Sequence, residues 1–146
     1  MPAKSFVLSP EQRSAPLQVL GTRVNLLATS AETGAGEVTL QSGSTGMGPP
    51  PHSHHWNESF FILKGSVLFT CDGEQYDCGP GTLVHVPAGT IHAFQYGPEG
   101  GEMLEFTGEG SEAGHMFKAL SEIPEGPPDP DAVTEAASPF GFNLHL

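Results

Sequence analysis

The sequence predicts an all-β fold, and three observations carry that prediction. Nineteen Gly and fourteen Pro are spread along the chain as punctuation instead of being gathered into one linker. Between them lie short runs, about four to eight residues each, in which apolar and polar residues alternate. No long amphipathic helix competes with them. Strands at such regular spacing form a sandwich, a jelly roll or a small barrel.

In chain order the runs are Thr22 to Thr29, Glu37 to Ser42, Ser59 to Leu63, Ser66 to Cys71, Gln75 to Cys78, Thr82 to Val86, Ile91 to Tyr96 and Glu102 to Thr107. Turn residues separate them: Gly34-Ala35-Gly36, Lys64-Gly65, Asp72-Gly73, Pro87-Ala88-Gly89 and Gly97-Pro98, each a combination that tolerates or demands turn dihedrals. If Asp72-Gly73 closes a two-residue hairpin, Cys71 faces Glu74 and Cys78 faces Val67, so the two thiols are not cross-strand partners and are expected to stay free and buried. After Ile123 the composition turns Pro-rich and acidic. Residues 1–123 are therefore read as the β-barrel domain with its N-terminal strands, and 124–146 as a C-terminal tail. A short helix is expected there from about Asp131 to Ala137, entered through Pro130. Phe140, Phe142 and Leu144 either pack that tail back on the sandwich or leave it exposed.

The chain of 146 residues carries five Lys plus Arg against seventeen Asp plus Glu, a formal charge of -12. A field of that sign repels phosphate backbones and anionic lipid surfaces, so neither nucleic acid nor membrane is expected as a partner. The longest apolar run is far below the roughly 20 residues of a bilayer crossing. A cytoplasmic protein is the expectation, with reduced cysteines.

Three of the seven histidines fall within four positions, in Pro51-His52-Ser53-His54-His55-Trp56-Asn57-Glu58. On a strand, His52 and His54 project from one face about 7 Å apart, a spacing that lets two imidazoles converge on an ion. Glu58, past a bend, can add a carboxylate, while alternation turns His55 to the opposite face. The Pro87-Ala88-Gly89 turn returns His92 to the same site. If that hairpin closes with an even loop, His85 lies opposite His92 and shares its face. Glu58, Phe60 and Ile62 share a face, as do His92 and Phe94, which gives the site apolar walls.

Gly46 to Gly65 reads G-x5-H-x-H-x3-E-x6-G, and Gly81 to His92 reads G-x5-P-x-G-x2-H. Both stretches resemble the signature motifs of the cupins, departing only where Tyr96 stands for the usual Asn at the end of the second. The resemblance implies a cupin double-stranded β-helix, a jelly-roll β-sandwich or barrel with a short C-terminal helix. It implies His52, His54, Glu58 and His92 as metal ligands at the barrel mouth. Mixed nitrogen and oxygen donors accept one divalent transition ion, with Zn the first expectation and Fe, Ni, Mn or Co open. His85 is either a fourth imidazole ligand, a neighbour that moves protons, or a satisfied surface or core histidine.

The chain resembles, within that family, the single-domain cupin cyclases of aromatic polyketide biosynthesis and quercetinase-like cupins. The first likeness implies Lewis-acid aldol closure of a poly-β-ketone, with His85 moving protons. The second implies metal-dependent dioxygenation, with Glu58 accepting a phenolic proton. A ligand-binding cupin without catalysis is the third reading. Few cations flank the motifs, so an apolar or aromatic small molecule fits better than a phosphate or a sugar acid. Exposed strand edges make a homodimer the expected assembly.

Overall fold

The computed structural model describes residues 3–145. In chain order the elements are β1 (Leu17–Val19), β2 (Thr22–Ala28), α1 (Ser30–Thr33), β3 (Val38–Gly43), β4 (His52–Ser53), β5 (Glu58–Cys71), β6 (Glu74–Cys78), β7 (Leu83–Val86), β8 (His92–Thr107), α2 (Ala113–Ser121), α3 (Pro130–Ala137) and β9 (Asn143–Leu144). All strand pairings are antiparallel, within one nine-stranded curled sheet.

The two longest strands are the spine. β5 and β8 pair from Glu58↔Thr107 to Cys71↔His92, where four shorter strands had been expected. Each runs on because it bends: the register slips between Gly65 and Val67. Gly65 has φ 65°, and a Cβ there would lie 2.1 Å from the Gly100 carbonyl oxygen. Only glycine allows two backbones this close while adopting the left-handed region. β3 adds to one side of β8 by Val38↔Phe106 through Gly43↔Gly101, and β6 and β7 add to opposite ends of β5.

Alternation along β5 and β8 buries Phe60, Ile62, Val67, Phe69, Phe94, Tyr96 and Met103 inside the curl, with Cys78 and Val86 from the flanking strands. Tyr96, at the place where the motif usually has Asn, fills the wall with its ring and bonds Thr22 through its hydroxyl. Gly43 makes room for it, since a Cβ there would meet the ring at 2.3 Å. Cys78 is buried and Cys71 half-buried, both free. Their cross-strand partners are Val67 and Glu74, as the Asp72-Gly73 hairpin requires.

A second apolar cluster joins the two ends of the chain. Val19 and Val24 pack with Trp56, with Ala113, Met116, Phe117 and Leu120 of α2, with Val133 and Ala137 of α3, and with Phe142. α2 was not foreseen, although its apolar residues recur at the i, i+3, i+4, i+7 spacing of an amphipathic helix. Buried Glu37 anchors it: Oε1 accepts from Gly114 N at 2.9 Å and Ser111 Oγ at 3.2 Å, and Oε2 accepts from Ser30 N at 3.1 Å. α3 begins at Pro130 with Asp129 as its cap. The later part of the tail packs back through Val133, Ala137 and Phe142 and through β9, which pairs with β4 at His52↔Leu144 and Ser53↔Asn143, while residues 124–131 are exposed. Among the described residues no helix is long and apolar enough to cross a membrane.

Candidate metal centre

Three strands meet at the boundary between the two apolar clusters. β4 supplies His52, the bend after it His54, the start of β5 Glu58 and the start of β8 His92. All four are buried, and one ligand atom from each lies within 4.8 Å of the others. The register that achieves this is His52↔His92 between β4 and β8, with ring centroids 4.2 Å apart.

Backbone carbonyls orient the rings. Nδ1 of His52 lies 2.8 Å from Pro50 O, Nδ1 of His54 3.1 Å from Trp56 O, and Nδ1 of His92 2.8 Å from Thr90 O. Each Nδ1–H is thereby committed outward, which turns each Nε2 inward as the free donor atom. Nε2 of His54 is 3.1 Å and Nε2 of His92 2.6 Å from Glu58 Oε1. The His92 contact is close but misaligned for a hydrogen bond, so a buried ring nitrogen is left without a proper partner. Inward lone pairs facing a carboxylate repel unless a cation or a proton lies among them. The donor set therefore fits a divalent transition ion.

The electrostatics agree. Burial and the neighbouring His92 push His52 down to about 3, so it stays neutral. Burial would lift the Glu58 carboxyl, but the His54 and His92 rings hold it well below the usual carboxylate range. His92 is raised: burial opposes its charge, but Glu58 and the Thr90 carbonyl favour it more strongly. Beside Glu58 sits a second buried acid, Glu105, pushed well up by burial and by the Glu58 charge. Thr39 Oγ1 donates to Glu105 Oε1 at 3.1 Å, and Gln41 Nε2 donates to Thr39 Oγ1 at 3.1 Å.

Aromatic rings brace two of the histidines. Trp56 stacks on His54 at 4.4 Å, and Phe142 stacks on His52 at 5.0 Å. Beside these residues is a cavity of about 30 Å³, whose walls include Gln41, Phe60, Phe94, Glu105, Met116 and Phe117.

His85 is elsewhere. β7 pairs only with β5, so His85 faces Ser59 and not His92. It is exposed, with Nδ1 2.9 Å from Ser59 Oγ. The expected hairpin partnership with His92 fails because the chain after Pro87 crosses from the β5 edge to β4 instead of folding back on β7, and Gly89 N bonds His54 O on the way. A catalytic or ligand role for His85 at this site is thereby removed. Ile62 also differs from expectation: it is fully buried within the curl and does not line the cavity, whereas Phe60 and Phe94 do. His55, in the bend after β4, is exposed where His54 is buried. Sequence reasoning missed Glu105, Gln41, Thr39, Trp56 and Phe142. Glu105 was visible as a polar residue in an inward register, two positions from Met103 and from Thr107.

The family model described as Cupin domain matches residues 36–106, the stretch that carries all four candidate ligands. Residues 36–106 are a cupin domain. Over 44 residues the chain is 36% identical to quercetin 2,3-dioxygenase of Bacillus subtilis, which is 30% of this chain and 13% of that protein's length. Its fold is similar to the polyketide cyclase RemF from Streptomyces resistomycificus, at TM-score 0.62 and 21% identity over 72% of this chain and 80% of that one. It is also similar to an RmlC-like cupin from Shewanella frigidimarina, at TM-score 0.67 and 17% identity over 77% and 98% of the two chains. The buried His/His/Glu/His cluster suits a metal ion, as the cupin fold leads one to expect.

Proposed function

We propose that this cupin is a metal-dependent enzyme that acts on an apolar, oxygen-bearing small molecule, cyclisation of a poly-β-ketone being the first reaction to test. One observation carries the reading: three Nδ1 atoms are tied to backbone carbonyls in a buried site, where the Nε2 atoms of His54 and His92 meet Glu58 Oε1 and His52 offers a ligand atom within 4.8 Å of the others. His52, His54, Glu58 and His92 would hold one divalent transition ion, with Zn the first choice for a reaction without redox change. When bound, such an ion polarises a carbonyl or enol oxygen and eases loss of the neighbouring proton.

The chain's own residues supply the rest. Glu105, buried beside Glu58 and pushed well up by burial and by the Glu58 charge, replaces His85 as the group able to give or take a proton. Thr39 and Gln41 fix its orientation. Phe60, Phe94, Met116 and Phe117 exclude water from the oxygen end of a substrate. The likeness to quercetin 2,3-dioxygenase in the motif segment favours a second reading, metal-dependent dioxygenation with Glu58 as proton acceptor.

Reconstitution with Zn, Fe, Mn, Ni and Co, followed by oxygen-electrode assays with a flavonol and product analysis with a poly-β-ketone, separates them. Ring closure with Zn and no oxygen uptake supports cyclisation. Oxygen consumption with Fe, Mn, Ni or Co supports dioxygenation. Protein that binds none of the five ions refutes both.

The proposal includes a second copy of the chain as partner. Phe61, Leu83 and Phe106 are exposed on one outer face, where Phe61 is paired with Leu83 and Ser59 with Phe106.

A further inference from the structure

The cavity beside His52 and Glu58 has room for little more than one water molecule. A much larger cleft of about 410 Å³ lies just outside it, the size of an ordinary small-molecule site. Its walls include Gln18, Met47, Pro50, Ile123 and Glu125. The two spaces have two residues in common, Leu20 and Leu120. Leu120 is buried on α2, and Leu20 packs against the same cluster from the turn between β1 and β2.

That turn is unusual. Val19 pairs with Thr22, so Leu20 and Gly21 are its two central residues, with φ 47° and 80°. A two-residue turn with both residues left-handed favours Asn-Gly, and leucine rarely adopts this backbone. Here a strained position carries the side chain that separates the two spaces. Such strain persists where the surroundings hold it and is a recognised mark of functional segments.

We propose that the outer cleft binds the body of the substrate, and that Leu20 and Leu120 form the door through which its oxygen-bearing end reaches the inner cavity. The inference rests on the reading of His52, His54, Glu58 and His92 as the reacting centre. The lining defines the ligand class. Among the described residues no Lys or Arg lines either space, and Glu125 lines the cleft, so an anionic body is disfavoured. The Trp56 indole N–H is buried in the wall of the inner cavity without an acceptor among the described residues. The ligand that fits is neutral, apolar along its length, with a carbonyl or enol oxygen at one end.

Trp56 is the one tryptophan in the chain, and it reports on the inner cavity. The first experiment measures acrylamide quenching of its fluorescence in the full chain. Leu20→Gly and Leu20→Asn both suit the left-handed turn, so they remove the door while easing the backbone. The Stern–Volmer constant is expected to rise about threefold or more in both variants, with melting temperature unchanged or higher. Gln75→Ala, exposed on β6, should leave quenching at the wild-type value. Equal quenching in wild type and both Leu20 variants overturns the door.

The second experiment titrates the protein with benzoylacetone, a neutral diketone, read by the same fluorescence. Gln18→Phe narrows the outer cleft without touching the inner residues, and it should weaken binding about tenfold. Unchanged binding in Gln18→Phe overturns the cleft assignment. Both readouts are taken on metal-free and metal-loaded protein with ion content measured alongside. Failure to bind an ion with quenching and titration as expected would overturn the metal reading and leave the door standing.

Discussion

His52 and His92 face each other across a single β4–β8 pair, their rings 4.2 Å apart and each held from behind by a backbone carbonyl two residues earlier, in the segment that leads into its strand. Two short segments far apart in sequence thus present matched donor atoms. His52→Ala and His92→Ala are each expected to lower metal affinity tenfold or more. Elemental analysis of the purified variants and a competition titration with a chromogenic chelator measure it. Wild-type metal content in either variant would remove that residue from the ligand set.

His85→Ala gives the opposite expectation. The side chain is exposed and touches only Ser59 among the site-forming strands. Metal content should be unchanged and stability should shift by no more than about 0.5 kcal/mol. Urea denaturation with ion analysis on the same preparation checks both, and a lost ion would reinstate His85 in the site.

Phe142 braces the metal loop from the C-terminal tail. It stacks on His52 and is buried in the cluster that includes Trp56 and α2. Phe142→Ala should cost about 3 kcal/mol or more through the cavity it leaves. It should also speed ion release to a chelator, because the His52 ring loses its backing. Stopped-flow chelation reads the second effect separately from thermal denaturation. A destabilised variant that releases its ion at the wild-type rate would show that the stack serves packing alone.

Glu37 ties α1, the loop before α2 and α2 itself together through three accepted hydrogen bonds. Glu37→Ala leaves those buried donors unanswered and should destabilise by about 3 kcal/mol. Amide exchange should show the greatest loss of protection at the N-terminal turn of α2. Uniform loss across the β5–β8 spine instead would mean that Glu37 supports the whole fold and not the α2 attachment.

Sedimentation analysis tests the second copy. The wild-type chain should run at twice its own mass, and Leu83→Asp should shift it to one. A monomeric wild-type chain removes the partner from the proposal.

The parts of this site legible in the sequence were those governed by local geometry. The Asp72-Gly73 hairpin with its Val67↔Cys78 pair and the helix entered through Pro130 follow from turn dihedrals and a proline at N1, whereas His54 reaches the site from the bend after β4 and not by strand alternation. What escaped depended on which strand becomes whose neighbour. His85 was placed by assuming that β7 and β8 form a hairpin, but the 87–91 segment carries the chain across to β4, and no local signal marks that crossing. Glu105 lay hidden for a similar reason, since its value comes from Glu58 and Thr39 on two other strands. α2 was legible and overlooked: a nine-residue amphipathic stretch is easily lost among so many Gly and Pro.

The pairing of β9 with β4 also sets an order of events during synthesis. Ser53 and His145 are 92 positions apart and meet through a 2.8 Å hydrogen bond. A nascent chain that has emerged only as far as α2 already contains all four candidate ligands, yet the strand holding His52 still lacks its outer neighbour and the Phe142 backing. Long-range pairing of this kind forms late and slowly. Bracing of the four candidate ligands is thereby expected only once residues 142–145 have emerged, and a ribosome stalled within α3 would leave a β-sheet already curled around an unbraced set of histidines.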